Sequence, residues 1–170
     1  MSVVRMDIQS IVVGGGPVSS LVVLRPRQSD TQHLGKLPIR IGSVEATAIS
    51  MGIDPSKSTT RPLTHDLLQS VINDLGATLT RVVISHVQDT VFYAQLQIVA
   101  PSGETIWVDA RPSDAIALAV RMHVPIFAEE SVLSTASLPD FEAVERDERE
   151  REAAAFHDFV EGLSPDDFAF

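Results

Sequence analysis

The sequence predicts an α+β fold built from two β3-α units with an intervening helix, followed by a separate C-terminal helix. Three observations predict it. At Trp107–Val120 a strand-like run passes straight into an Ala-rich helix, and the junction carries Asp109, Arg111, Ser113 and Asp114. Residues 39–51, Ile-Arg-Ile-Gly-Ser-Val-Glu-Ala-Thr-Ala-Ile-Ser-Met, repeat the order of strand, small-residue junction, acidic first turn and Ala-rich helix. Aligning Glu45 with Asp114 gives an offset of 69, at which Ala46 meets Ala115, Ala48 meets Ala117 and Ile49 meets Leu118. Upstream of each junction lie two more strand-like runs, Val3–Val13 and Ser20–Leu24 in the first half, Leu79–Val87 and Val91–Val99 in the second. The pattern reads as an internal duplication, with too long a period and too few copies for a solenoid.

Local chemistry supports each element. Pro112 suits the first helical position, where its missing N–H costs nothing. Asp114 then falls in the first turn, where the helix dipole favours an anion. From Ala115 to Val120 every residue is Ala, Ile, Leu or Val, so the helix has no wet face and, like the strand before it, reads as buried. Between the two units, Thr64 serves as an N-cap for a helix whose apolar set Leu67, Leu68, Val71, Ile72 and Leu75 has helical spacing. Gly76 stops that helix at a C′ position. His65 and Asp66 occupy its first turn, and the loop before it, Asp54–Arg61, is rich in Ser, Thr and Lys.

At 170 residues the chain reads as one domain, 1–139, plus an acidic appendage, 140–170. The domain is long enough to bury roughly 65–70% of its unfolded surface, so it needs no disulfide or metal to fold. Cysteine is absent, which excludes thiolate chemistry and fits a reducing compartment. With no signal segment and no apolar run near the length of a membrane span, a cytoplasmic protein with no membrane contact is expected. The net charge of −10 is uneven, because residues 140–170 hold 11 of the 23 acids and only 3 of the 13 bases. This tail reads as a helix over 141–162, and its Phe156, Phe159, Val160 and Phe168 are too apolar for a free acidic arm. Apolar groups of that kind mark contacts, so a homodimer with the tail at its interface is expected; blocks of like charge also serve as interaction arms.

Several familiar chemistries are excluded. Gly14-Gly15-Gly16-Pro17 lies between two strand-like runs and lacks a following Gly-Lys-Ser/Thr, so it is a hairpin turn rather than a phosphate loop. His65-Asp66 stands in a strand-rich chain, unlike the all-helical metal phosphohydrolases. His33, His86, His123 and His157 lack zinc-ligand spacing. Ser113 has no Gly-x-Ser-x-Gly context. The sequence shows neither a basic helix nor an aromatic strand pair for stacking bases.

Three ordered segments carry a resemblance. Leu37–Ala46, Arg61–Leu68 with its Pro62-Leu63-Thr64-His65-Asp66, and Val108–Ala119 with its Asp109-Ala110-Arg111-Pro112-Ser113-Asp114 resemble signatures of the bifunctional nuclease domain family. Pro125-Ile126-Phe127, Glu129-Glu130 and Ser164-Pro165-Asp166-Asp167-Phe168 are similar to it as well. The resemblance covers nearly the whole chain and implies DNase and RNase activity, with DNA and RNA as substrates. It also implies a wedge-shaped homodimer with a groove as its active site.

The residues within these segments suit phosphodiester hydrolysis. Carboxylates holding Mg²⁺ or Mn²⁺ can stabilise phosphoryl charge and position a water, and Glu45, Asp109 and Asp114 are the candidate ligands. His65 is the candidate general base or acid. Arg111 can grip a phosphate bidentately, and Asp66 can orient His65 or bind metal. Asp109 and Arg111 are expected closest to the chemistry. The plainer reading stands beside this one: Glu45, Asp66 and Asp114 each fall in a helix first turn, where acids are common, and Asp109 and Arg111 can neutralise each other. An acidic chain with few core bases also suits nucleic acid poorly. A non-catalytic dimeric domain whose groove binds a small anion or a protein is therefore the alternative.

Overall fold

Two antiparallel meanders build most of the sheet. The computed structural model describes residues 2–14, 19–27, 35–54, 56 and 60–138. Strands Val3–Val12 (β1), Ser20–Pro26 (β2) and Leu37–Ile41 (β3) form the first meander, followed by helix Ser43–Ile53 (α1). Strands Thr78–Gln88 (β4), Val91–Val99 (β5) and Thr105–Ala110 (β6) form the second, followed by helix Pro112–Met122 (α3). Helix Thr64–Asp74 (α2) lies between them in sequence. Strand Ile126–Glu129 (β7) and helix Glu130–Ala136 (α4) complete the order. The seven strands form one sheet in the order β3-β2-β1-β7-β4-β5-β6. β7 joins the two meanders, antiparallel to β1 and parallel to β4.

The α+β class and the recurrence of three strands and a helix match expectation. Descent from one duplicated unit is a stronger claim than shared element order supports, since β7 and α4 have no counterpart after the first unit. The chain separates into Met1–Pro139 and Asp140–Phe170; the helix expected at 141–162 and the turn at 15–17 fall outside the described residues.

Alternation along the strands gives the sheet one wet and one dry face. Val4 and Met6, Val22 and Leu24, Leu37 and Ile39, Val82 and Ile84, Ala94 and Leu96, and Ile126 and Ala128 all point to the dry face. There they join Ile49 of α1, Ala115–Ala119 of α3, and Val132 and Leu133 of α4 in one core. The α1 and α3 helices run side by side in the same direction. Near their C-terminal ends, a Cβ on Gly52 would come within 2.7 Å of Arg121 Nη1 and 3.2 Å of Val120 Cγ1. Their N-termini consequently meet at the same end of the fold.

Three expectations need correction. β6 is an edge strand rather than a buried one, with Ile106 42%, Trp107 45% and Val108 39% exposed, because only β5 pairs with it. Of the five apolar residues on α2, only Ile72 is buried; Leu67, Leu68, Val71 and Leu75 are exposed. Helical spacing identifies an apolar stripe but not what covers it. Leu63, not Thr64, is the N-cap of α2, and its N–H is satisfied from within the helix by Asp66 Oδ2 at 2.9 Å. The C-terminus of α2 follows the Gly76 reading: Gly76 is left-handed, its N–H donates to Asn73 O and that of Ala77 to Ile72 O, a Schellman arrangement.

Candidate active site at the paired helix N-termini

Arg111 ties the two strand-to-helix junctions together. Its backbone is extended and forms the N-cap of α3. From there its Nε donates to Asp114 Oδ2 at 2.8 Å and its Nη2 to Asp114 Oδ1 at 3.3 Å, while Nη1 reaches Glu45 Oε1 on α1 at 3.1 Å. Glu45 lies against Gly42, the N-cap of α1, whose missing Cβ leaves room for Glu45 Oε2. The Ile-Gly-Ser-Val-Glu sequence thus lets a first-turn carboxylate fold back over its own helix end, toward the next junction.

His65 completes the cluster from α2. Its Nε2 lies 3.1 Å from Asp114 Oδ1, and its side chain is only 14% exposed. Burial pushes the Asp114 carboxyl up, but hydrogen bonds from Arg111 and His65, and their charges, outweigh it and hold the group below its usual range. The hydrogen bond and charge of Asp114, with a smaller contribution from Glu45, raise the Arg111 guanidinium against a slight desolvation penalty. Facing a carboxylate, which can only accept, His65 Nε2 is the donor of this hydrogen bond, and Nδ1 lies on the other side of the ring.

Two concavities flank the cluster. Glu45 and Arg111 open on a cleft of about 450 Å³ shared with Arg40, Thr90, Phe92 and Ser113. Thr90 and Asp89 both have positive φ in the two-residue β4–β5 turn, which fixes that rim of the cleft. His65 lines a groove of about 380 Å³ with Val44, Met51 and Leu63.

Four of the six predicted residues, Glu45, His65, Arg111 and Asp114, are therefore joined in one chain of contacts. Asp66 is engaged elsewhere: its Oδ1 accepts from Arg121 Nε at 2.6 Å and its Oδ2 from Leu63 N–H. Burial raises the Asp66 carboxyl, but the Arg121 and Leu63 hydrogen bonds and the Arg121 charge bring it below its usual range. Asp66 does not orient His65; Asp114 does. Asp109 does not neutralise Arg111, whose partners are Asp114 and Glu45, and Asp109 has no ion pair among the described residues. Sequence reasoning missed Arg121, only 6% exposed, whose Nη1 also donates to Ala48 O and Ala117 O. The signal was present, as the one cation ending an otherwise apolar helix.

The donor set does not fit a divalent ion. Among the described residues no three His, Asp or Glu side chains are grouped to hold a metal. A guanidinium bridges Glu45 and Asp114, so both carboxylates already hold a cationic partner.

Sequence comparison defines the class. The chain matches the bifunctional nuclease domain over residues 22–140 and belongs to that family. Two proteins of Mycobacterium tuberculosis, one from strain H37Rv and one from strain CDC 1551, are each 44% identical to it over 143 residues. That span is 78% of this chain and 80% of each relative, and both relatives are described as uncharacterized. No helix among the described residues is long and apolar enough to cross a membrane.

Proposed function

We propose that the protein is a cytoplasmic nuclease that hydrolyses phosphodiester bonds of DNA and RNA at the Glu45–Arg111–Asp114–His65 cluster. The observation that carries this reading is the single contact chain from Glu45 through Arg111 and Asp114 to His65. The chain of contacts supports the reading because the Arg111 guanidinium suits a phosphate and His65 Nδ1 has no hydrogen bond among the described residues. In the proposed step His65 Nδ1 takes a proton from water as the water oxygen bonds to phosphorus. The P–O bond to the leaving oxygen breaks, and that oxygen takes up a proton from solvent. Arg111 has three N–H donors engaged with Asp114 and Glu45. Its remaining donors suit the phosphoryl oxygens, and its side chain is 67% exposed toward incoming ligand. Asp114 keeps the imidazole oriented and stabilises the imidazolium that forms. Glu45 positions the guanidinium.

Arg111 bridges the carboxylates expected to hold Mg²⁺ or Mn²⁺, and in the proposed step the guanidinium supplies the charge that stabilises the phosphoryl oxygens. Cleavage of single-stranded DNA and RNA by highly purified protein tests the reading, with EDTA or with added Mg²⁺ or Mn²⁺, beside His65→Ala and Asp114→Asn. Loss of cleavage in both folded variants supports it. Equal cleavage by wild type and both variants assigns the activity to a contaminant or another site.

Two observations favour a second reading, a non-catalytic dimeric binding domain. Both cluster carboxylates already have cationic partners, as in a structural ion-pair network, and α2 presents an exposed apolar stripe suited to a second copy. Absence of cleavage together with a stable dimer would establish it.

A further inference from the structure

We propose that the helix-free face of the sheet is a docking platform for single-stranded nucleic acid, in which bases stack on aromatic side chains and arginines hold the phosphates. This rests on the nuclease reading and extends it to the way substrate is held.

Strand register corrects the sequence reading that no aromatic strand pair exists, because it brings Trp107 of β6 and Phe127 of β7 to either side of Arg81. Arg81 on β4 lies opposite Gln97 on β5, which lies opposite Trp107 on β6. Beside that row runs a second, from Arg5 on β1 through Phe127 on β7, Val83 on β4 and Gln95 on β5 to Asp109 on β6. Directly paired residues share a face, and Arg5, Phe127, Gln95 and Gln97 stand between residues of the core, so both rows lie on the face that bears none of the core helices. The Arg81 guanidinium sits 5.5 Å from the Trp107 ring centroid and 5.6 Å from that of Phe127, and Gln97 Oε1 holds its Nε. Further along the β4–β5 pair, His86 and Tyr93 stack with centroids 4.2 Å apart and planes 7° apart. The Trp107 ring is fixed on one side by a cation and remains 45% exposed. A ring held in this way offers a flat surface at little entropic cost.

Charge complementarity identifies the occupant. Register places Arg5, Arg25, Arg27, Arg40 and Arg81 on this face or its margin, which is half of the ten Lys and Arg in residues 1–139. The acids facing them are Asp7, Asp109 and Glu129. Asp7 is 3.8 Å from Arg27, whereas Arg5 and Arg25 have no ion pair among the described residues. Arg5, Arg25 and Arg27 also border a cleft of about 750 Å³ with His123. A polyanion with accessible ring faces matches this combination: sequence-tolerant stacking on aromatics combined with a basic track is how single strands are held. Duplex DNA buries its ring faces and an acidic peptide has none. The platform also leads to the cluster, since Trp107, Asp109 and Arg111 are alternate residues and successive ones lie about 6.6 Å apart in an extended chain.

Trp107 is the sole tryptophan of the chain, so its emission reports on this face alone. The full-length protein is titrated in EDTA with a thymidine oligonucleotide of about 16 nucleotides. Saturable quenching of tryptophan emission is expected, weakening with added salt. Arg5→Gln and Arg25→Gln should each reduce the salt slope by about 0.7, the value for one phosphate contact on a single strand. Trp107→Leu should weaken binding of a labelled oligonucleotide, read by anisotropy, at least about fivefold. No quenching overturns the platform, and so does quenching that both arginine variants leave unchanged. An emission change that follows protein concentration rather than oligonucleotide also overturns it, by showing that a second copy covers this face. Cleavage of the same oligonucleotide is followed separately on gels. Cleavage without quenching removes the platform and leaves the nuclease reading; quenching without cleavage supports the platform and removes that reading.

Discussion

His65 and Asp114, 49 positions apart in sequence, are joined by a hydrogen bond of 3.1 Å between Nε2 and Oδ1. The same carboxylate receives two donors from Arg111. Asp114 is therefore the shared partner of the proposed base and the proposed phosphate ligand, a position that sequence reasoning divided between Asp66 beside His65 and Asp109 beside Arg111. Asp114→Asn preserves shape but reverses part of the hydrogen-bonding polarity. It should lower nucleolysis by about a hundredfold, within the usual range for acid–base groups, with a changed pH profile as the mark of an altered His65. Asp109→Asn should reduce cleavage less than Asp114→Asn. Melting temperatures taken alongside separate lost chemistry from lost folding.

Asp66 and Arg121 should prove structural. Asp66→Asn leaves an almost fully buried guanidinium with only carbonyl partners, at a cost on the order of 2–3 kcal/mol. Because the folded state holds the Asp66 carboxyl below its unfolded value, its contribution is complete above about pH 4. That contribution fades as pH falls through the lower folded value. Wild type and Asp66→Asn should thus differ in urea stability at pH 7 and converge in acid. A constant difference across that range would rule out the ion pair as its source.

Gly42→Ala tests the positioning of Glu45. Backbone strain is not at issue, since φ at Gly42 is −75. The added methyl displaces the Glu45 carboxylate from its place beside the N-cap and loosens its hold on Arg111. We expect near-normal stability, because the colliding atom is the end of a flexible side chain. Substrate KM should rise, and Glu45→Gln should reproduce the effect if the contact to Arg111 is its cause.

The exposed stripe on α2 predicts self-association. Leu67, Leu68, Val71 and Leu75 form a patch of a kind that monomers rarely leave open. Wild type should scatter light as a dimer at micromolar concentration. Leu68→Asp combined with Val71→Asp should yield a folded monomer. A wild-type monomer, or a double variant that still dimerises, removes α2 from the interface.

Chelation provides a further check. If the Arg111-bridged carboxylates act without a metal, EDTA should leave cleavage within about threefold of its starting rate, set against the tenfold or greater effects of acid–base groups. Abolition by EDTA and recovery with Mn²⁺ would show a metal requirement and overturn the metal-free step.

Much of this architecture is written locally. Pro112 with Asp114 set the start of α3, Gly76 set the end of α2, and strand alternation set the two meanders. These features depend on backbone torsions and side-chain periodicity within a few residues, which sequence displays directly. The strand β7 was missed, because four residues beside a Pro carry too little periodicity to announce a strand. Its insertion between β1 and β4 is what joins the two meanders into one sheet.

By itself, the sequence determined the class of fold, the identity of the junction residues and a wider candidate set, Glu45, His65, Asp66, Asp109, Arg111 and Asp114, of which the structure joins four. Tertiary structure decided the pairings. Arg111 has carboxylates available on either side in sequence and meets Asp114 and Glu45 because α1 and α3 lie side by side. Asp66 adjoins His65 in the chain yet bonds Arg121 across the helix interface. Trp107, Arg81 and Phe127 form one surface only through sheet register. Electrostatic and stacking contacts act over a few ångströms of space, and distance along the chain says little about that separation once strands and helices have packed.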